Sequence, residues 1–403
     1  MEEWKEYRLG EIALGKGSYG IAAPAVPYDK SKYTYLRITD INDDGSLNSD
    51  GLKSVNDKNA SKYLLHKGDI VFARTGNSTG RTYYYEGTEG PLVYAGFLIK
   101  FSLDSAKVNP RLLKYYTHSK PYYEWIHSFD TGATRGNINA QTFREMPIML
   151  PPRSLQEKIV EILKSLDDKI ELNRKINSNL EEQTKTIFQS WKKRIKELPH
   201  SSINLSEVAR FIGGYSYKGN ELQPSSQAMA TIKNFERKGG FKVDGYKEII
   251  PSEKIKQEQY AKVYDILVAH TDLTQNADVI GNAEMILSKG SHNRILFSMD
   301  LVKVEPKQNF PYRYFLIALL QDNAFKSHCL GYVNGTTVLH LSKKALPDFV
   351  FDIPTDRKLI EQINLLLSYY YQKRAEIMTE SSDLASLRNV LLPRLMSGEL
   401  VVR

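Results

Sequence analysis

The chain has 403 residues, which is more than one ordinary domain needs and enough for two or three. Hydrophobic residues make up 41%, enough for packed cores, and a net charge of +8 permits binding to a polyanion. The single cysteine, Cys329, excludes internal disulfides and a cysteine-based zinc cluster. No apolar run approaches the roughly 20 residues of a membrane helix, and the N-terminus lacks the composition of a signal peptide. We therefore expect a cytoplasmic protein that has no membrane partner.

From Trp4 to Leu150 the sequence predicts strands, loops and short helices. Tyr33–Ile38 is rich in β-forming residues and precedes an Asp-Asp-Gly turn, and Leu64–Ala73 has the pattern of a turn followed by a buried strand. The remaining elements of this segment are predicted as strands at Arg81–Tyr85, Leu92–Phe101 and Met146–Leu150 and as helices at Pro110–Ser119 and Tyr122–Phe129.

A long helix is predicted from Leu155 to about Ile195, because its apolar side chains recur at helical spacing and form one stripe. A second such helix follows Pro354 and ends the chain. A lone helix of this length cannot bury its stripe, so we expect the two helices to pack together as a coiled coil. The polar residues on or near this contact, which would fix its register, are Lys169, Asn173 and Gln183.

The second half of the sequence repeats the order of the first. Asp69–Ala73 aligns with Asp265–Ala269 at an offset of 196 residues (265 minus 69), and Ile138 aligns with Leu341 at an offset of 203. Short loop insertions absorb such a drift easily. We interpret the series as an internal duplication. The predicted fold class is α+β, with two duplicated mixed α/β domains separated by two long antiparallel coiled-coil helices in a pseudo-two-fold arrangement.

The most specific motifs lie where the long helices begin and end. Ile148–Glu157 and Phe351–Ile363 lead into the helices, and Leu391–Leu400 carries paired leucines, a basic residue and a Gly-Glu-Leu strand. Together with Lys67–Val71 and the Gly-Ala-Thr-Arg-Gly-Asn-Ile run from Gly132, these stretches resemble the specificity subunits of type I restriction-modification systems. The resemblance covers the whole chain.

This resemblance implies a protein that has no catalytic activity and no cofactor of its own. Residues 1–150 and 199–353 would be target-recognition domains, each reading one half of a bipartite site in double-stranded DNA. Residues 151–198 and 354–403 would be conserved helical regions that dock two adenine methyltransferase subunits through their exposed flanks and through Leu395–Val401. Translocating restriction subunits would join that complex. Gln156-Glu157-Lys158 stands where the family commonly shows Glu-Gln, a small departure.

Two polar loops of the first half carry the first candidate DNA contacts. Arginine can hold guanine through O6 and N7, asparagine can hold adenine, and a hydroxyl serves either base or phosphate. Gly76 and Gly80 would let the backbone of the first loop approach DNA closely. Solvated hairpins without a partner are the alternative. The candidates are Arg74, Thr75, Asn77, Ser78 and Arg81 in the first loop and Thr134, Arg135 and Asn137 in the second.

Different residues stand at the matching places of the second half, so its half-site should have a different sequence. A basic group before a Gly-Gly turn suits phosphate and consists of Lys233, Arg237 and Lys238. The candidates that follow the matching strand and loop are His270, Thr271, Gln275, Thr336, Thr337 and His340. Weaker candidates for phosphate contact, in early loops of each half, are Lys16, Tyr19, Tyr215 and Lys218.

Two other classes of protein remain open. A duplicated scaffold would bind protein or polysaccharide through the same domains. A fused restriction enzyme is disfavoured, because the Asn/Asp-Pro-Pro-aromatic tetrapeptide and the glycine-rich cofactor loop of an adenine methyltransferase are missing. Pro347-Asp348 with Asp356-Arg357-Lys358 imitates a nuclease motif, but Pro354 and a helix start separate its parts. The eight histidines show no metal-ligand spacing.

Overall fold

Two units make up the chain in the computed structural model. Unit 1 consists of Met1–Asp168 and Ala385–Arg403, and unit 2 consists of Lys169–Leu384. Within the described part of the chain, no helix is long and apolar enough to cross a membrane. The structure describes residues 4–48, 51–129, 137–237, 239–252, 255–274 and 276–400.

The first half of the chain forms β-sheets with short helices and then one long helix. β6 lies between two other strands of its sheet, and all five of its residues are buried, which explains its apolar run from Ile70 to Ala73. In chain order the elements are β1 (Lys5–Arg8), α1 (Leu9–Ile12), β2 (Ser18–Tyr19), β3 (Ala25–Pro27), β4 (Tyr33–Leu36), β5 (Lys53–Val55), β6 (Asp69–Ala73), β7 (Thr82–Tyr84), β8 (Leu92–Tyr94), β9 (Leu98–Ser102), α2 (Pro110–Tyr116), α3 (Lys120–His127), α4 (Ala140–Arg144), β10 (Pro147–Leu150) and α5 (Arg153–Ile195).

The second half has a similar order of elements and ends in the other long helix. These elements are β11 (His200–Asn204), α6 (Leu205–Val208), β12 (Ala209–Gly213), β13 (Gln227–Ala230), β14 (Lys247–Glu248), β15 (Tyr260–Ala261), β16 (Ile266–Ala269), β17 (Thr271–Asp272), β18 (Ala283–Met285), β19 (Arg294–Phe297), β20 (Leu301–Pro306), α7 (Arg313–Leu320), α8 (Asn323–Leu330), β21 (Val333–Asn334), β22 (Leu339–Leu341), β23 (Val350–Pro354) and α9 (Lys358–Met396).

One four-stranded sheet has the same strand order in the two units, as the internal duplication predicts. The order β2-β9-β6-β7 in unit 1 corresponds to β12-β20-β16-β18 in unit 2. A parallel pair, β4 with β8, has its counterpart in β13 with β19, and the antiparallel pair β1 with β10 has its counterpart in β11 with β23. Unit 2 also carries the sheet β17-β22-β21. The predicted fold class is confirmed for its two mixed α/β domains and its two long helices.

A buried glycine at one corner of each unit shows the duplication at atomic detail. Gly80 has φ +86°, and a Cβ there would lie 2.7 Å from Cγ2 of Ile126 on α3. Gly281 has φ +76°, and its Cβ would lie 2.7 Å from Cβ of Cys329 on α8. Both glycines therefore allow a left-handed turn to pack against a helix. Close packing is a structural reason for Gly80, and the approach of DNA that the sequence suggested stays a prediction.

The long helices run antiparallel within unit 2. Asn173 of α5 donates to Glu380 of α9 at 2.8 Å, and Arg374 donates to Glu181, further along α5, at 2.7 Å. The predicted polar contact at Asn173 is confirmed, since its side chain is 1% exposed. Gln183 is exposed and was wrongly placed at the contact, because the helical phase buries Thr184 there instead.

Each unit builds its core around segments of both long helices. In unit 1, Leu163 of α5 and Leu395 of α9 pack with the buried side chains of β6 and α2. In unit 2, Phe188 of α5 and Leu367 of α9 join the core formed by β16 and α7. Leu395 is 1% exposed, so it is not available for the partner contact expected at Leu395–Val401. Val401 lies outside the residues that the structure describes, and contact by the rest of this segment stays a prediction. Burial against its own domain explains the paired leucines of that motif.

Candidate nucleic-acid interface

The two candidate loops of unit 1 meet at Arg74. Its amide N–H donates to the carbonyl of Phe97 at 3.1 Å, and its carbonyl accepts from the amide of Ile138 at 3.0 Å. Asn137 directly precedes Ile138. The backbone therefore places Arg74, at the end of the buried strand β6, beside Asn137 of the second loop.

The guanidinium of Arg74 is held in one orientation by two neighbours. Its Nη1 donates to Oδ1 of Asn137 at 3.1 Å, and its Cζ lies 5.2 Å from the ring centroid of Tyr19. The Tyr19 hydroxyl in turn accepts from the amide of Ala140 at 3.1 Å. Nε of Arg74 is buried and makes no hydrogen bond to any residue that the structure describes. Such preorganisation lowers the entropic cost of binding a base or a phosphate.

The other candidates of the first loop differ in their exposure. Asn77 is exposed, Thr75 is half-buried, and Ser78 is buried in a short 3-10 turn. Arg81 donates to the carbonyl of Ile41 at 3.1 Å and pairs with Asp43 at 2.7 Å. DNA would therefore have to compete with Asp43 for this guanidinium. DNA contact by these four residues stays a prediction.

A turn that the sequence did not predict lies beside Arg74. The prediction of a continuous strand at Leu92–Phe101 was wrong, because a tight turn at 95–97 separates β8 from β9. Gly96 donates to the carbonyl of Ile21 at 2.9 Å, and Leu98 donates to Ala95 at 2.8 Å, closing the turn. Residues on both sides are apolar, so periodicity alone could not find it. The turn brings Phe97 next to the candidate loops.

Unit 2 repeats the backbone contacts of Arg74 at His270. The amide of His270 donates to the carbonyl of Asp300 at 2.7 Å, and its carbonyl accepts from the amide of Leu341 at 2.8 Å. The pairs Arg74 with Ile138 and His270 with Leu341 are those that the sequence offsets of 196 and 203 aligned. The two alignments are confirmed at this point of the fold.

A three-stranded sheet joins the candidates of unit 2. Thr271 of β17 faces His340 of β22, and Thr271 is buried, with its hydroxyl donating to Asp300 at 3.0 Å. Thr336 and Thr337 are exposed in the turn between β21 and β22. The structure thus brings the two candidate segments together. Thr271 is buried within the sheet, and the side chains of His340, Thr336 and Thr337 are exposed.

The basic candidates of unit 2 lie on another turn. Lys233 is exposed, and the Arg237 side chain, 65% exposed, lies 3.7 Å from the Asp278 carboxylate in the connection after β17. Arg237 therefore links this turn to the segment that follows Thr271. Four further candidates lie outside the residues that the structure describes, namely Thr134, Arg135, Lys238 and Gln275.

The weaker candidates for phosphate contact fall into two groups. Lys16 and Lys218 are exposed. Tyr215, in contrast, is 4% exposed, and its hydroxyl donates to the buried Glu221 at 2.8 Å. The predicted surface contact by Tyr215 was wrong, because its side chain packs against β13 and β19.

His270 is neutral at physiological pH. Burial lowers the pKa of its imidazole to about 4, and the positive charge of Lys343 and the neighbouring His340 act in the same direction. An uncharged imidazole can donate from one nitrogen and accept at the other. His270 therefore suits hydrogen bonding to a base edge better than attraction to a phosphate.

Acid should destabilise the protein partly through His270. Its pKa is 6.5 when unperturbed and about 4 in the fold, so the unfolded chain binds more protons between these values, and stability is lost as pH falls through this window. The half-buried His118 of unit 1 acts in the same direction, since desolvation also lowers its pKa to about 4. We expect His270→Gln to reduce, without abolishing, the fall in unfolding free energy between pH 6.5 and 4.5, measured by urea titration. An unchanged slope would contradict this.

The sequence of the chain is similar to one family model and to two characterised proteins. The family model for the type I restriction modification DNA specificity domain matches residues 1–182. The chain is 26% identical over 198 residues to the specificity subunit of the type I restriction enzyme HindI from Haemophilus influenzae, covering 47% of this chain and 41% of that protein. It is also 26% identical over 106 residues to the EcoEI specificity subunit from Escherichia coli, covering 25% and 18%. Each match thus spans less than half of the relative's length.

A solved structure shares the fold along nearly the whole chain. The crystal structure of the S subunit of a type I restriction-modification system from M. genitalium superposes with a TM-score of 0.55 at 17% identity. The superposition covers 98% of this chain and 96% of that chain. Similarity of fold at this level includes both units and both long helices.

Proposed function

We propose that the chain is a specificity subunit of a type I restriction-modification system, which reads a bipartite DNA site and acts only within a complex. Residues 1–150 and 199–353 form the two recognition domains in this proposal, and 151–198 and 354–403 the conserved helical regions. Methylation and cleavage belong to the other subunits.

One observation supports the proposal that each of the two domains recognises its own half-site. Arg74 and His270 occupy equivalent backbone positions, each between a turn and the start of a second candidate segment. The backbone hydrogen bonds are the same, but Arg74 carries a cationic guanidinium with several hydrogen-bond donors, whereas His270 carries a neutral imidazole. The two units therefore present different side chains at the same backbone position. This difference supports recognition of two different half-sites, because contacts to base edges depend on the pattern of hydrogen-bond donors and acceptors.

Exposed apolar side chains on α9 support docking of the methyltransferase subunits. Helices packed against a domain normally turn such residues inward, and a contiguous exposed group marks an interaction surface. Those on one face of α9 in unit 2 are Leu365 at 56% exposure, Leu366 at 43% and Tyr369 at 61%. In the proposal, two methyltransferase subunits bind the helical regions and the restriction subunits join them.

Binding assays on the assembled complex test the proposed function. Complexes of this chain with its methyltransferase partner should prefer one bipartite sequence, found by sequencing methylated DNA from the host with and without this gene. Affinity should fall steeply with salt, as expected for many phosphate contacts. Absence of any sequence preference at every salt concentration would contradict the proposal and favour a scaffold that binds protein or polysaccharide.

Replacing Arg74 by alanine should relax recognition of one half-site only. Loss of a bidentate base contact costs about 1–3 kcal/mol of discrimination at the contacted base pair. Arg74→Lys is the matched control, because it keeps the charge and loses the fork. We expect both variants to lose discrimination, measured by competition binding with single base-pair changes. Rescue by lysine, with equal weakening on all DNA for alanine, would instead identify a phosphate contact.

A further inference from the structure

The turn at 95–97 presents a large apolar side chain to solvent. Phe97 is 55% exposed, although its neighbours Ala95 and Leu98 are buried. The amide of Gly96 and the closing bond from Leu98 to Ala95 fix the turn, so Phe97 stands on a rigid support. An exposed phenylalanine in a turn fixed in this way contributes nothing to the core of its own unit.

Phe97 shares its surface with the residues proposed to read DNA. Its carbonyl accepts from the amide of Arg74, whose guanidinium contacts Asn137 and stacks on Tyr19. Tyr19 is itself 43% exposed. The main-chain bond therefore places the exposed Phe97 next to Arg74 along the chain surface.

Unit 2 has the equivalent turn at 298–300, closed by the same bonds. Leu301 donates to Ser298 at 2.9 Å, and Met299 donates to Tyr215 at 2.9 Å. Met299 is 58% exposed. Asp300 takes the place of Phe97, and its carboxylate accepts from Thr271. Each unit thus exposes one large apolar side chain in this turn, displaced by one residue between the units.

We propose that Phe97 and Met299 are specificity-determining residues, each contacting the 5-methyl group of a thymine in its half-site. This inference rests on the proposed function. A phenyl ring or a thioether chain cannot donate a hydrogen bond to phosphate. Contact with the DNA backbone would therefore give these side chains no favourable polar interaction. The thymine methyl is the apolar group on a base edge in the major groove, where the donors of Arg74 and Asn137 would also act.

Removal of single thymine methyl groups from the DNA tests this contact. Once the recognised sequence is known, each thymine of both half-sites is replaced in turn by deoxyuridine, which lacks only the methyl group. Affinities are measured for the complex of the full chain with its methyltransferase partner. With the native chain, uracil at one position in each half-site should weaken binding about threefold to fivefold, the effect of one buried methyl.

The two variants serve as controls for each other. Phe97→Ala should abolish the effect of uracil in one half-site and leave the other unchanged, and Met299→Ala should do the reverse. Both side chains are exposed, so neither change removes core packing. The inference for the turn at 95–97 or at 298–300 is overturned if the matching half-site contains no thymine. It is also overturned if the effect of uracil persists in the alanine variant of that turn. A native complex without sequence preference would instead refute the proposed function itself.

Discussion

Arg374→Ala is expected to lower the unfolding free energy of unit 2 by about 3 kcal/mol, the lower end of the cost of breaking a buried ion pair. Arg374 is 4% exposed, and its Nη2 donates to Glu181 at 2.7 Å while its Nε donates to Asn177 at 3.1 Å. Truncation leaves the Glu181 carboxylate without its main partner. Lys185, 2.8 Å away, remains and moderates the loss.

The loss should grow as pH rises. Burial tends to raise the pKa of Glu181, but the charges of Arg374 and Lys185 outweigh it and lower that pKa. Burial, followed by the charge of Glu181, raises the pKa of the neighbouring Glu284 to about 7. Without Arg374 the folded state would take up protons more readily at these carboxyls, so its stability would fall further as pH rises from the ordinary glutamate value of 4.5 through about 7.

Hydrogen exchange of the β16 amides measures this stability, with the β6 amides as a reference in unit 1. Lys373→Ala is the matched control, since Lys373 is 60% exposed and pairs with Glu376 at 3.1 Å on the surface. Its loss should cost at most about 1 kcal/mol. Equal effects of the two variants would refute a role for the buried pair.

Phe315→Ala should destabilise unit 2 by about 3–5 kcal/mol, through lost burial and the cavity left behind. Phe315 is fully buried on α7, with its ring centroid 5.8 Å from that of Phe188 and 5.2 Å from that of Trp191, both on α5. It also borders a cavity of about 260 Å³ that the alanine variant would enlarge. Denaturant unfolding measures the change. Tyr28→Ala, which removes an exposed aromatic ring, should stay within about 0.5 kcal/mol, and a similar value for Phe315 would contradict the prediction.

The long helices were predictable because their period is long and regular. α5 extends over 43 residues from Arg153 and α9 over 39 residues from Lys358, close to the predicted bounds. The duplication was also visible, because the buried positions from Ile70 to Ala73 in β6 and from Ile266 to Ala269 in β16 all carry apolar residues. Equivalent contacts at Arg74 and His270 followed from it.

Contacts that depend on loop geometry could not be predicted. The bond from Arg81 to Asp43 joins segments whose spacing in the sequence carries no signal. Tyr19 stacks on Arg74 only because two strands bring them together. Burial of Tyr215 depends on a close backbone approach at Gly214, where a Cβ would lie 2.0 Å from the carbonyl oxygen of Ser298. Each of these needs the fold in three dimensions.

The division of the chain into its units has a consequence for the order of folding during synthesis. Unit 2 is one continuous stretch, Lys169–Leu384, whereas unit 1 combines Met1–Asp168 with Ala385–Arg403. Leu395 and Leu392 are buried in the core of unit 1, so that core stays incomplete until the ribosome has made the end of α9. Domains usually fold in the order in which they are made. Here the half that emerges first would be completed last, and it would expose apolar surface to chaperones in the meantime.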